Sequence, residues 1–170
     1  MAKPKLYIFI GYPGAGKTTI AKRIAEETGA VHLWADLERH KLFSKPTHTL
    51  DESAKLYKML NDSAEYLLAQ GKSVVFDTNF NFFTDRQKLR DIAEKQSAET
   101  VLIWVRTPLD TARERAISEH ETRNGYTVSM TAEQFNAIVA KLEPPAKYEK
   151  VIKINGTKVD DPELIKLLQQ

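Results

Sequence analysis

Short apolar runs alternate with longer amphipathic stretches along the chain, and this alternation predicts strands separated by helices. The apolar runs, rich in β-branched residues, lie at residues 6–10, 31–34, 73–76, 101–105 and 151–154. Between them, apolar positions recur at helical spacing. The predicted helices cover residues 17–28, 36–43, 51–70, 84–96, 131–142 and 161–168, and another starts at Pro108. Thr131 and Gln134 have the spacing of a capping box, and Gly29 is expected to end the first helix.

This order of elements predicts an α/β fold in which helices cover both faces of a mostly parallel sheet. A length of 170 residues fits one domain spanning residues 1–170. Ligands of such sheets bind at the carboxyl ends of the strands. Three features fall at such ends, namely the loop after Ile10, Asp36 and Asp77. We therefore expect the functional site at that edge of the sheet.

The composition excludes several kinds of site and partner. The net charge of +2 is too small to indicate nucleic-acid binding by itself. The chain has no cysteine, which excludes disulfides, thiolate metal sites and cysteine nucleophiles. The first apolar run lacks a signal-peptide pattern, and no stretch approaches the ~20 apolar residues of a membrane span. We expect a cytoplasmic protein without a membrane partner.

Residues 11–18 read Gly-Tyr-Pro-Gly-Ala-Gly-Lys-Thr and match the P-loop pattern G-x-x-x-x-G-K-[ST]. Glycines allow successive backbone N–H groups to face one phosphate, at the partially positive start of a helix. Lys17 is expected to reach the β- and γ-phosphates of ATP and Thr18 to bind Mg²⁺. The alternative is a chance glycine-rich turn. The predicted ATP-binding residues are Gly11, Pro13, Gly14, Ala15, Gly16, Lys17, Thr18 and Thr19.

Two acidic residues extend this prediction to the transfer of a phosphoryl group. Asp36 follows the second predicted strand, where its carboxylate could accept the proton of an attacking hydroxyl. Arg39 lies three residues later, on the same helix face, and could bind an anionic part of the acceptor. Asp77 ends the third predicted strand, like a Walker B acid, and could hold Mg²⁺ through water or orient an arginine. The alternatives are a solvated Asp36–Arg39 face and an Asp77 that only caps a turn.

Three arginines are candidates for neutralising the phosphates. Arg113, Arg115 and Arg123 lie on the predicted helix after Pro108 and in the polar, glycine-containing segment that follows it. Phosphoryl transfer needs positive charge near the transferred group, often supplied by a mobile lid. The alternative is a solvated charged helix. Residues 124–129 are predicted to form a loop.

Taken together, residues 11–18, Asp36-Leu37-Glu38-Arg39 and Asp77-Thr78-Asn79-Phe80-Asn81 resemble the kinase domain of polynucleotide 5′-kinases. They are also similar to small bacterial P-loop kinases of the AAA type, including zeta-toxin and chloramphenicol phosphotransferase relatives. The resemblance implies that Asp36 is the general base, that Arg39 binds a phosphate of the acceptor, and that Asp77 and Asn79 contact the acceptor. It further implies a helical lid at about residues 113–130, in which Arg115 and Arg123 grip the ATP phosphates and assist catalysis.

The same resemblance implies a P-loop NTPase fold, a three-layer αβα sandwich with a five-stranded parallel sheet of adenylate-kinase-like order 2-3-1-4-5. The loop at residues 155–157 would then flank the adenine.

The leading functional hypothesis is an ATP- and Mg²⁺-dependent kinase with a hydroxyl acceptor. The acceptor could be a nucleic-acid 5′-hydroxyl, a nucleotide sugar or a small alcohol. The alternative is a regulatory module that binds or hydrolyses ATP without a small-molecule acceptor. Asp36 favours the kinase, because a regulatory switch has no need of a base for an acceptor.

Overall fold

The computed structural model describes residues 2–118, 120–121, 127–128, 130–158 and 160–170. The strands are β1 (Lys5–Ile10), β2 (Val31–Trp34), β3 (Val74–Asn79), β4 (Glu99–Arg106), β5 (His120–Glu121), β6 (Thr127–Val128) and β7 (Val151–Asn155). The helices are α1 (Lys17–Thr28), α2 (Ala35–Leu42), α3 (Leu50–Ala69), α4 (Phe83–Lys95), α5 (Leu109–Ile117), α6 (Ala132–Lys141) and α7 (Pro162–Leu168).

Five strands form a parallel sheet in the order β2-β3-β1-β4-β7. Counted along the sheet-forming strands, this is the order 2-3-1-4-5, so the predicted fold class is confirmed. The order places β1 in the centre, where a loop leaving its carboxyl end lies between the ends of β3 and β4. The P-loop is therefore held from both sides.

The strands carry two hydrophobic cores, one on each face of the sheet. From β1, Leu6, Ile8 and Ile10 enter the first core, whereas Tyr7 and Phe9 enter the second. Helices α3 and α4 close the first core, and α1 and α7 close the second. Burial of successive side chains on opposite faces explains why the strand sequences are continuously apolar.

The local signals at the helix ends are also confirmed. Gly29 follows α1 with a φ of 75°, in the left-handed region that favours glycine. The Thr131 side chain accepts from the Gln134 amide, and the Gln134 side chain accepts from the Thr131 amide, forming the predicted capping box at the start of α6.

Two predicted boundaries differ from the structure. The third apolar run predicts a strand that ends at Asp77, but β3 continues to Asn79, because Asn79 still pairs with Phe9 of β1. The predicted loop at residues 124–129 includes β6, which pairs antiparallel with β5. Strands of two residues are too short to show an alternation of apolar and polar residues, so the sequence gives no signal for this small ribbon.

No helix in the described part of the chain is long and apolar enough to cross a membrane.

Candidate active site

The P-loop joins β1 to α1 and depends on two glycines with positive φ. Gly14 has a φ of 77° and Gly16, which precedes α1, has a φ of 101°. A Cβ at Gly14 would overlap the backbone carbonyl of Ala112 in α5. The loop thus combines left-handed backbone with close approach of another helix, and only glycine satisfies both requirements.

Lys17, the first residue of α1, folds its side chain back over the loop. Its Nζ donates to the carbonyl oxygens of Gly11 at 3.0 Å and Tyr12 at 2.7 Å. Burial lowers the pKa of Lys17 to about 8, although the negative charges of Asp77 and Asp36 oppose this shift. The Lys17 ammonium is therefore buried and hydrogen-bonded to the loop, and the negative charges of Asp77 and Asp36 stabilise its protonated form.

Asp77 is buried at the carboxyl end of the sheet and contacts residues from two other elements. Thr18 Oγ1 lies 3.3 Å from Asp77 Oδ1, and His32 Nε2 lies 2.9 Å from Asp77 Oδ2. The His32 ring is stacked on Trp34, with 5.7 Å between the ring centroids. These contacts fix the direction of the Asp77 carboxylate toward the first turn of α1.

Thr18 and Asp77 together present a hydroxyl and a carboxylate, which are the oxygen ligands that Mg²⁺ prefers. The described residues contain no group of three or more His, Cys, Asp or Glu side chains that could hold a metal by themselves. A magnesium ion at this pair would therefore need phosphate or water oxygens to complete its coordination, as is usual for ions that accompany nucleotides.

Asp36 lies in the first turn of α2, immediately after β2. Desolvation by the surrounding protein raises the pKa of its carboxyl, and the charge of Asp77 raises it further, while Arg39 opposes the shift. The side chain nevertheless reaches solvent. Trp34, two residues before Asp36, pairs with Asp77 of β3, and Asp77 contacts Thr18 next to Lys17, so Asp36 and Lys17 lie at the same edge of the sheet. An acceptor could reach the carboxylate from the open side.

The Arg39 side chain is directed inward, toward α3, and is buried. Its Nη1 donates to Glu52 Oε1 at 2.6 Å, and Nη2 donates to Ser53 Oγ at 3.3 Å. The side chains of Arg39 and Glu52 are only 7% and 6% exposed. Glu52 is on α3, and no short-range pattern could identify it as the partner. Acceptor binding by Arg39 thus stays a prediction, and one that this geometry does not favour.

The predicted lid is described only in part. Arg115, on α5, places its Nη1 at 3.4 Å from the carbonyl oxygens of Gly14 and Gly156, so its guanidinium lies over the P-loop. Arg113 is exposed on the same helix. Arg123 lies outside the described residues, and its predicted role stays a prediction.

Comparison with known proteins decides the family. A family model described as an AAA domain matches residues 6–145, which is most of the chain. The chain belongs to the AAA domain family. The match begins in β1 and includes every predicted site residue from Gly11 to Arg123.

A cytidylate kinase from Methanocella arvoryzae is 31% identical to this AAA domain over 112 residues. The match covers 65% of this chain and 60% of that relative, so less than two thirds of the relative is spanned. A sugar kinase from Janibacter sp. has a TM-score of 0.70 at 19% identity, covering 99% of this chain and 94% of its own. The APS kinase from Mycobacterium tuberculosis has a TM-score of 0.66 at 17% identity, covering 99% and 98%. The two structural likenesses concern the fold.

Asn81 of this AAA domain is a further residue at the P-loop, and it is not among the residues predicted from the sequence to bind a ligand. It is buried, and its carboxamide contacts both the backbone amide and the carbonyl of Gly11. Asn79, a predicted acceptor-binding residue, is exposed at the end of β3. The buried Phe80 between them, whose amide donates to the Phe9 carbonyl, explains why the second asparagine and not the first meets the P-loop.

Two further residues of the AAA domain support the P-loop from the other side. Thr107, after β4, donates its hydroxyl to the carbonyl of Ala15 at 2.7 Å. Gly156, after β7, packs so closely that an added Cβ would overlap the Ala15 carbonyl and the Thr107 hydroxyl. Beside them is a cleft of about 600 Å³, whose lining includes Tyr12 and Asn155. A threonine after a strand is too common for sequence alone to single out Thr107.

Proposed function

We propose that this AAA domain is a kinase that transfers the γ-phosphate of ATP to a hydroxyl group, with Mg²⁺ as cofactor. The observation that carries the proposal is that Lys17 and the accessible carboxylate of Asp36 lie at the same edge of the sheet, after β1 and β2, the two strands that flank β3. A nucleotide-binding module without an acceptor has no need of the second group. The kinase names of the relatives are consistent with this reading.

In the proposed mechanism, the P-loop amides and Lys17 bind the phosphate tail of ATP, and the 600 Å³ cleft beside Gly156 accepts the adenine. Thr18 and Asp77 would hold Mg²⁺, which neutralises charge on the β- and γ-phosphates. Arg115 adds positive charge from the lid, which we assign to about residues 113–130 of a single domain. Arg123 would act in the same way.

In the chemical step, the acceptor oxygen forms a bond to the γ-phosphorus while the bond from that phosphorus to the β,γ-bridging oxygen breaks. The hydroxyl proton passes to Asp36, and ADP leaves with the electron pair. The raised pKa of Asp36 makes its carboxylate a better proton acceptor than an ordinary aspartate. The neighbouring carboxylate of Asp77 is held by its contacts with Thr18 and His32.

A second candidate is suggested by the cytidylate kinase, whose name indicates a nucleotide as its substrate. In that case the acceptor would be an anionic phosphate oxygen, and no base would be needed. The two candidates differ in what Asp36 does, since a proton must be removed only from a hydroxyl. The resemblance to polynucleotide kinases and zeta-toxin relatives favours the hydroxyl.

The test is transfer of labelled γ-phosphate in the Asp36→Asn variant. We expect ATP binding to persist while transfer to a hydroxyl acceptor falls by a factor on the order of 10²–10⁴. Glu38→Gln is the matched control, because Glu38 is on the same helix and pairs with Lys41 at the surface. The acceptor panel contains 5′-hydroxyl oligonucleotides, nucleosides, nucleotide sugars and aminoglycoside-type alcohols. Near-normal transfer by Asp36→Asn would exclude the proposed base.

A further inference from the structure

The positive charge of Arg39 is compensated by the carboxylate of Glu52, which is itself fixed by further hydrogen bonds. Glu52 accepts from the Thr47 amide at 2.7 Å, from the Thr47 hydroxyl at 2.9 Å and from the His48 amide at 3.2 Å, in addition to Arg39. The Thr47 amide contributes most to lowering the pKa of Glu52 to about 2, against the effect of desolvation. Glu52 therefore stays ionised at neutral pH, and the buried pair is neutral as a unit.

The other charged side chains near Asp36 do not provide a binding site for an anionic group of the acceptor. Asp77 is engaged with Thr18 and His32, and Lys17 is turned to the P-loop, where it serves the ATP phosphates. In the part of the chain that the structure describes, the remaining groups whose charge acts on Asp36 are His40 and His48. Among the described residues, Arg39 is thus the one guanidinium whose charge acts on Asp36.

Neutral hydrogen-bonding groups lie next to this acidic centre. The Tyr57 hydroxyl, on α3, is 2.7 Å from the Thr78 hydroxyl, which follows Asp77 directly. Burial raises the pKa of Tyr57, so the phenol stays protonated, and the charges of Arg39 and Asp36 both act on it. Hydroxyls that donate and accept are suited to partners that are themselves hydroxyls.

We infer that the acceptor is an uncharged hydroxyl compound, such as a nucleoside or an unphosphorylated sugar, and not a nucleotide, a sugar phosphate or a nucleic-acid end. This inference rests on the proposed kinase function and narrows its substrate class. A phosphate on the acceptor would have to approach the Asp36 carboxylate with the guanidinium of Arg39 already neutralised, and like charges brought together in this way oppose binding. A neutral polyol meets no such repulsion.

The first experiment compares acceptors with and without a phosphate, which is placed at two different positions so that each candidate hydroxyl stays free in one of the two. Transfer of labelled γ-phosphate is measured for each of four nucleosides against its 5′- and its 3′-monophosphate, and for uncharged hexoses against their 1- and 6-phosphates. We expect kcat/KM to be at least about tenfold higher for the uncharged member of the productive pairs. A preference for the phosphorylated members would overturn the inference while leaving a kinase. Absence of transfer to every member, with ATP still bound, would overturn the kinase proposal and the inference with it.

The second experiment asks directly whether Arg39 contacts the acceptor. The double variant Arg39→Met, Glu52→Leu replaces the buried pair by apolar side chains, a change that is often tolerated because no charge is left unpaired. Circular dichroism and urea unfolding establish that it folds. We expect its acceptor KM to stay within about threefold of the original protein. A rise of tenfold or more in acceptor KM, with the ATP KM unchanged, would show that Arg39 binds the acceptor and would overturn the inference.

The converse variant, Glu52→Gln, releases the charge of Arg39 while keeping a similar shape. If neutralisation by Glu52 sets the selectivity, the ratio of kcat/KM for the monophosphate that keeps the acceptor hydroxyl free to that for the nucleoside should rise by about tenfold. Glu38→Gln removes an exposed carboxylate from α2 and should leave this ratio unchanged. An unchanged ratio in a folded Glu52→Gln variant would contradict the inference, since a purely structural role for Glu52 would not alter charge selectivity.

Discussion

The carboxamide of Asn81 holds both backbone polar groups of Gly11, the first residue of the P-loop. Asn81 Oδ1 accepts from the Gly11 amide at 3.2 Å, and Asn81 Nδ2 donates to the Gly11 carbonyl at 3.3 Å. The same carbonyl accepts from Lys17 Nζ. Asn81 therefore links the end of β3 to the position of Lys17, the lysine that we propose binds the ATP phosphates.

We predict that Asn81→Ala weakens ATP binding by about tenfold, because two buried hydrogen bonds to the loop are lost and the Gly11 amide is left unpaired. Isothermal titration calorimetry with ATP measures the effect. Asn79→Ala is the control, since Asn79 is exposed two residues earlier, and it should change ATP affinity by less than about twofold. Equal effects of the two substitutions would show that Asn81 does not shape the loop.

Much of the fold could be predicted because its signals are local or periodic. The alternating apolar runs define the five strands of the sheet, and the Thr131–Gln134 spacing defines the start of α6. The P-loop is equally local, since eight consecutive residues carry it. The strand order is different, because alternation alone fits several parallel orders and only the resemblance to known kinases implied 2-3-1-4-5.

The site was predicted less completely because several of its contacts join residues far apart in sequence. Asn81 meets Gly11 across 70 residues, and Thr107 meets Ala15 across 92. The Arg39–Glu52 pair spans 13 residues but two helices, so helical spacing could suggest only that Arg39 and Asp36 share a face. Spacing within one element cannot show which neighbouring element supplies a counter-charge.

Gly156 offers a test of the loop that we assign to the adenine. In Gly156→Ala the new methyl would overlap the Ala15 carbonyl and the Thr107 hydroxyl, so the loop after β7 has to move away from the P-loop. We expect ATP affinity to fall by at least about tenfold, with a smaller loss for inorganic triphosphate, which lacks the adenosine. Competition between the two ligands measures this difference.

Gly71→Ala is the matched control for that substitution. Gly71 follows α3, and a Cβ there meets nothing within 4 Å, although its φ of 75° makes alanine strained. It should lower stability by about 1 kcal/mol and leave ATP affinity unchanged. Loss of ATP affinity in Gly71→Ala as large as in Gly156→Ala would mean that general destabilisation explains both.

The lowered pKa of Lys17 predicts a pH dependence of ATP binding. Below pH 8 the ammonium is mostly charged, whereas above it the free protein increasingly holds a neutral amine. Because the phosphates of ATP favour the charged form, binding above pH 8 must take up a proton, and the Kd rises with pH by up to about tenfold per unit. Calorimetry in buffers of different ionisation enthalpy measures both the Kd and the proton uptake.

Lys17→Arg provides the control for this pH dependence. Guanidinium stays charged throughout the range, so whatever affinity this variant retains should vary little between pH 7 and 9.5. A Kd for the original protein that is flat over the same range, without proton uptake, would contradict the assignment of Lys17 to the ATP phosphates.

A buried ion pair between Arg86 of α4 and Glu149 predicts how the stability of the fold depends on acid pH. Arg86 donates to Glu149 through Nε at 2.9 Å and Nη2 at 3.0 Å, and Arg90 also donates to Glu149. Burial alone would raise the pKa of Glu149, but hydrogen bonds from Arg86, the Ala146 amide and Arg90 outweigh it and lower the pKa to about 2. The stabilisation is therefore complete above the ordinary value of 4.5 and is lost as pH falls from there toward 2.

Arg86→Met should consequently lower the free energy of unfolding at pH 7 by about 3–5 kcal/mol, because Glu149 keeps a buried charge without its main partner. Urea unfolding between pH 7 and 2.5 measures this loss. The difference from the original protein should shrink below pH 4.5, since only the original protein still has the ion pair to lose there. The double variant Arg86→Met, Glu149→Leu should regain part of the stability at pH 7, because the only charge that loses its partner is that of Arg90, whose side chain is partly exposed. A single variant that unfolds at the same urea concentration as the original protein would show that this pair does not stabilise the fold.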